Sequence, residues 1–207
     1  MKNQFNEHFR TRLWQSIADI EQQSQVELVV IIKDSSAGYE DIPLIWGCAA
    51  AFLSFSYIMF APNLFDDLVV YFAPIAAFAL AWLMARMPLL KRLSIPVSRR
   101  QKAVQIMARA LFQKGGIQHT RNKIGVLIYC SVLEQSVYVL ADRGAELALP
   151  AEEWALIKAD LQQIFTAKQP DQALLTKLAA FKPVFNRYIP PVADDLKELA
   201  DDLEITL

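Results

Sequence analysis

Asp142-Arg143-Gly144 closes a run, Ser136 to Ala141, that reads as a β-strand. A carboxylate at a strand end, beside an arginine and a glycine, suits a divalent cation or phosphoryl chemistry, because α/β folds bind ligands outside strand ends. The same three residues also suit a plain turn, with Asp142 capping it and Gly144 at positive φ. A cation needs further oxygen ligands. Glu27 and Asp34 are the other acids near predicted strand ends, and Glu27 lies inside its strand. Thr120 stands in a polar loop, His119-Thr120-Arg121-Asn122-Lys123, that could receive a phosphate; a solvated basic connection before the second strand is the plainer account. Gly115-Gly116 lacks the lysine–hydroxyl pair of a phosphate-binding loop. His119 has no acid or nucleophile at recognisable spacing, and His8 is the only other histidine. No catalytic constellation and no metal-ligand set is expected from the sequence. Cys130, Tyr138 and Trp154 read as core.

The elements that would hold these residues are legible from periodicity. Phe5, Phe9, Leu13, Ile17 and Ile20 recur at helical spacing over residues 6–22. Val26 to Ile32 is short and β-branched, a buried strand. Ser98 to Lys114 carries Val104, Met107, Ala108, Leu111 and Phe112 on one helical face, and Gly115-Gly116 ends it. Gly125 to Val132 and Ser136 to Ala141 read as a strand pair turning at Glu134-Gln135. Pro150 opens a helix with Glu152 and Glu153 in its first turn. A further helix starts at Asp171, with Leu174, Leu178 and Phe181 as its stripe, and reaches Pro183. The order is that of an α/β fold, with helices on both faces of a small mixed sheet. The first two strands should be parallel, with a right-handed crossover.

That crossover is interrupted. Pro43–Ala61 and Leu68–Ala85 are uncharged and about the length a helix needs to cross a bilayer. Pro74 within the second is tolerable in a membrane helix. Two buried helices of a soluble core are the alternative. The loop between the runs carries Asp66 and Asp67, whereas Arg86, Lys91, Arg92, Arg99, Arg100 and Lys102 follow the second run. This asymmetry predicts a transmembrane hairpin with both termini and the soluble domain cytoplasmic. Met87, Leu89, Leu90, Leu93 and Ile95, set among those bases, suggest an interfacial segment resting on anionic headgroups; ordinary positive-inside bias accounts for the bases at least as well. Residues before Glu40 contain no apolar leader, so none is expected. Cys48 and Cys130 fall in a span and a strand, so no disulfide is expected. A formal net charge of −1 gives no reason to expect nucleic acid as a partner.

Several segments together resemble the TPM domain family. They are Ala110-Leu111-Phe112, His119-Thr120-Arg121, Ile124 to Ile128, the run Val137 to Gly144 through Asp142-Arg143-Gly144, the helix around Trp154, and Phe185 to Pro190 followed by Asp194 to Leu199. Glu27-Leu28-Val29-Val30 resembles the family's first strand. The resemblance implies a Rossmann-like α/β/α sandwich. It implies little about chemistry: plant members have been described as acid phosphatases, some members bind calcium (Ca2+), and others are accessory factors of membrane complexes. Bacterial relatives often accompany LemA-like membrane proteins, which implies such a partner. Many members carry a leader and work outside the cytoplasm; this chain shows no leader and carries the hairpin instead.

The expected layout is residues 1–41 as first helix and strand, 42–97 as hairpin and basic interfacial segment, 98–190 as the remaining domain, and 191–207 as an acidic tail. The expected function is a non-enzymatic, membrane-anchored accessory factor in contact with membrane lipids. The alternatives are a phosphatase or divalent-cation-binding domain using Glu27, Thr120, Asp142, Arg143 and Gly144, and a lipid-binding module.

Overall fold

The computed structural model describes residues 7–117, 124–191 and 205–206, and the chain divides into two compact units. The first comprises residues 1–36 and 101–207, and the second residues 37–100.

The first unit is a mixed α/β fold, mostly helical, around a small sheet. Helix α1 (Glu7–Glu21) buries Phe9, Leu13, Ile17 and Ile20, the stripe that its periodicity requires. Strand β1 (Glu27–Lys33) pairs in parallel with β2 (Gly125–Ser131), Glu27 opposite Gly125 and Lys33 opposite Ser131. Strand β3 (Ser136–Ala141) returns antiparallel to β2 through a turn in which Gln135 takes φ 48°. A two-residue strand, β4 (Ile205–Thr206), lies parallel to β1 at Ile32 and Lys33, giving the order β3-β2-β1-β4. It arises within the segment expected to be only an acidic tail. β2 is buried throughout because strands flank it on both sides and helices cover both faces.

Strand alternation sends the side chains to two cores. Leu28, Val30, Ile32, Val126, Ile128 and Cys130 face α1, α7 (Ala151–Gln162) and α8 (Pro170–Tyr188). Ile31, Leu127 and Tyr129 pack instead against Val104, Ala108 and Leu111 of α5 (Val97–Lys114). Gly116, at φ 67°, sits just beyond α5 in the conformation that favours glycine there.

Two local expectations are corrected. Asp142-Arg143-Gly144 does not form a plain turn with Gly144 at positive φ: the chain enters a short helix, α6 (Arg143–Ala148), and Gly144 lies inside it. The buried Ala145 holds that turn against the core. Helix α8 also does not stop at Pro183 but continues to Tyr188. The missing N–H costs one bond, while the stripe Leu174, Leu178, Phe181 and Phe185 stays buried across the proline.

The second unit is built on α2 (Asp41–Phe60) and α3 (Asp67–Ala85), each long and apolar enough to cross a membrane. They pack closely at Gly47, where a Cβ would meet the Phe78 ring at 2.7 Å. Their remaining apolar surface points outward: only 17% and 6% of the two apolar windows is buried. At one end Asp66 caps α3, its Oδ1 accepting from the Leu68 N–H at 3.2 Å. At the other, α4 (Pro88–Ser94) is fastened to the start of α2, with Lys91 Nζ donating to the Gly38 carbonyl at 2.7 Å and Trp46 Nε1 to Ser94 Oγ at 2.9 Å.

Candidate functional site

The sheet brings Glu27 and Asp142 to the same end, on either side of Gly125. Glu27 is the register partner of Gly125, and the Asp142 N–H donates to the Gly125 carbonyl at 2.8 Å. The parallel strands begin at this end, whereas α/β ligand crevices form outside their carboxyl ends. Asp34, just beyond the carboxyl end of β1, is therefore at the opposite edge from Asp142.

Asp142 acts as a helix cap. Its backbone is extended, and its Oδ1 accepts from the Arg143 N–H at 2.7 Å. Its Oδ2 is buried with no hydrogen-bond partner among the described residues. Arg143 is exposed and Gly144 half-buried. Thr120, with the rest of its basic loop, lies outside the described residues. Among the described residues no group of three or more histidines, cysteines or acids is placed to hold a metal. One unpartnered oxygen of Asp142 falls well short of the about six to eight oxygens that calcium takes.

At the carboxyl end of the parallel pair stands a polar cluster that sequence reasoning missed. Ser36, Ser131, Glu134 and Tyr129 are all buried. The Ser36 N–H donates to Glu134 Oε1 at 2.9 Å, and Ser131 Oγ donates to Glu134 Oε2. Ser36 Oγ donates to Ser131 Oγ at 3.0 Å, which leaves the Tyr129 hydroxyl, 2.9 Å from Ser36 Oγ, as the donor in that contact. Burial raises the Tyr129 pKa; hydrogen bonds with Ser36 and Ser131 oppose this, and the nearby Glu134 adds to it. The Val132 and Leu133 N–H groups donate to the carbonyls of Lys33 and Asp34 at 2.9 and 2.8 Å, so backbone and side chains close the same corner.

Chemically this cluster is a fastening. Ser131 is fully buried and Glu134 only 3% exposed, so no substrate atom reaches the serine hydroxyl in this arrangement. It ties down Ser36, the last residue before the second unit. The only sequence signal was the parallel register, which sets Ser131 opposite Lys33 and so within reach of Ser36. Beside it, burial alone pushes the Cys130 thiol up to about 12, the behaviour of a core residue and not of a nucleophile. Both cysteines are free.

The second unit concentrates charge at its basic end. Arg99 donates to both Asp41 carboxylate oxygens through its two terminal guanidinium nitrogens, at 2.5 and 2.9 Å. Glu40 faces Lys91 at 3.3 Å and Arg86 at 3.9 Å, and the Arg86 guanidinium also lies 3.9 Å over the Trp82 ring.

No curated protein matches the chain. A solved structure that resembles it is the NMR structure of BA42 protein from the psychrophilic bacterium Bizionia argentinensis. The likeness has a TM-score of 0.59 at 14% sequence identity and covers 97% of this chain and 94% of that one, so it speaks for the fold. Residues 95–183, which run from the start of α5 into α8, match the family model described as the TPM domain. Over that segment the chain is similar to the TPM domain family.

Proposed function

We propose that this protein is a membrane-anchored accessory factor whose TPM domain works at the cytoplasmic face of the bacterial inner membrane, beside a membrane-protein partner of LemA-like type. The observation that carries this reading is the outward apolar surface of α2 and α3. Phe52, Leu53, Tyr57, Phe60, Leu68 and Leu80 are all more than 60% exposed. Leaving such side chains in water forfeits about 1.5–3 kcal/mol each, which a bilayer restores. The bases after α3 and the acids before it favour a cytoplasmic basic end. The expected role is interaction and not catalysis, because the buried serine–glutamate cluster serves as a fastening. Purification from membranes should recover a stoichiometric membrane partner, and a reporter fused after Leu207 should behave as cytoplasmic. Repeated recovery of the protein alone, or a periplasmic reporter signal, refutes the respective part.

The buried, unpartnered Oδ2 of Asp142 favours a second reading, in which this corner takes part in phosphomonoester hydrolysis. Asp142→Asn keeps the Oδ1 cap and removes the carboxylate. Phosphatase activity unchanged by that substitution eliminates the site.

A further inference from the structure

The bases of the second unit divide into those with acids and those without. Arg86 and Lys91 share Glu40, and Arg99 takes Asp41. Arg92, in the last turn of α4, and Arg100, in the first turns of α5, have no acid partner among the described residues. The Nε atom of each is buried and makes no hydrogen bond among the described residues. Buried donors are almost always satisfied, so two orphan guanidinium N–H groups in one small unit call for an acceptor. Their charges also oppose each other: burial lowers the Arg92 pKa, and the nearby Arg100 lowers it further. No acid occupies the first turn of α5. Leu89 and Leu93 on α4 are 67% and 72% exposed, which sets apolar side chains beside the two cations. Guanidinium groups bind phosphate oxygens in bidentate fashion, and a shared phosphate would relieve both the orphan donors and the repulsion.

We propose that Arg92 and Arg100 together bind one phosphate group, supplied by the headgroup of an anionic phospholipid. For that source the proposal rests on the membrane reading above; inorganic phosphate would satisfy the same chemistry from solution. It adds to that reading a defined two-arginine site.

The test uses the full chain, purified in detergent and examined by native mass spectrometry with dioleoylphosphatidylglycerol or dioleoylphosphatidylcholine. Wild type should retain the anionic lipid in preference to the zwitterionic one. Arg92→Gln with Arg100→Gln should weaken that retention about 30-fold, as expected from about 1 kcal/mol per basic residue. Arg86→Gln, which removes a base already paired and stacked, should leave retention within a few-fold. Arg92→Lys with Arg100→Lys, which keeps charge and loses the fork, should fall between and guards against misfolding of the glutamine variant. Displacement of the lipid by inorganic phosphate in wild type, absent in the glutamine variant, assigns the same site to a free anion. Equal retention by wild type and the glutamine variant, or an equal loss from Arg86→Gln, overturns the proposal. Resistance of the wild-type chain to carbonate extraction from membranes is read in parallel. Its failure would sink the membrane reading alone, while the phosphate arm still judges the arginine pair.

Discussion

Replacing Glu134 by leucine isolates the fastening at the carboxyl end of the sheet. The side chain is 3% exposed and accepts from the Ser36 N–H at 2.9 Å and from Ser131 Oγ. Leucine accepts neither, so two buried donors lose their partner, at about 1–3 kcal/mol each. Leucine's own burial recovers part of this, giving a net loss of about 2–4 kcal/mol, a large effect for one residue. For the full chain in detergent, the urea midpoint should fall by about 1–2 M at an unchanged slope. Glu134→Gln keeps one acceptor and should cost about 1 kcal/mol, with Ser131 reorienting its hydroxyl. The Ser36 amide should lose hydrogen-exchange protection in the leucine variant, because its acceptor is gone. A cycle with Ser131→Ala should give a coupling of about 0.5–3 kcal/mol, since the two residues share a hydrogen bond. The reasoning fails if Glu134→Leu lies within about 0.5 kcal/mol of wild type and the Ser36 amide stays protected.

Three further outcomes follow from the same structure. Gly125→Ala should destabilise the first unit by about 1–3 kcal/mol, because a Cβ there would sit 2.4 Å from the Ile117 carbonyl oxygen; a melting temperature equal to wild type would contradict this. Gly47→Leu should push α2 and α3 apart, as its side chain must displace the Phe78 ring, and a crosslink between engineered cysteines on the two helices should lose yield; an unchanged yield would refute the close contact. The third outcome concerns alkaline pH. The folded Cys130 pKa is raised from 9.0 to about 12, so the folded state holds this proton more tightly than the unfolded chain. The resulting stability is complete below pH about 9 and is lost between about 9 and 12, on the order of 4 kcal/mol. Tyr129, also raised, acts in the same direction above its ordinary 10.0. Denaturant titrations across that window should show falling stability, shallower in Cys130→Ala; an identical slope would remove Cys130 as a cause.

Most of the secondary structure was legible because periodicity is a local property. The stripe of α1, the β-branched run of β1 and the apolar face of α5 each declare themselves within a few turns, and the observed bounds differ by only a residue or so. The parallel pairing of β1 with β2 was also accessible, since an intervening helix requires a crossover. Where local signals compete, the reading failed. Asp142-Arg143-Gly144 has turn composition, yet burial of Ala145 draws the chain into α6. Pro183 looks like a stop, yet Phe185 continues the buried stripe past it.

By itself, the sequence determined the family signal over residues 95–183, the two long apolar helices and the charge asymmetry at their ends, because each is written in contiguous residues. Only the tertiary structure decided which chemical groups meet. It set Asp142 beside Gly125 and Glu27 at the amino end of the parallel strands, away from Asp34. It closed Ser36, Tyr129, Ser131 and Glu134 into one buried cluster across nearly a hundred residues. It showed which arginines of the basic run already have acids and that, among the described residues, Arg92 and Arg100 do not. The physical reason is that hydrogen bonds and ion pairs act over a few ångströms, so their partners depend on register and packing that no local pattern encodes.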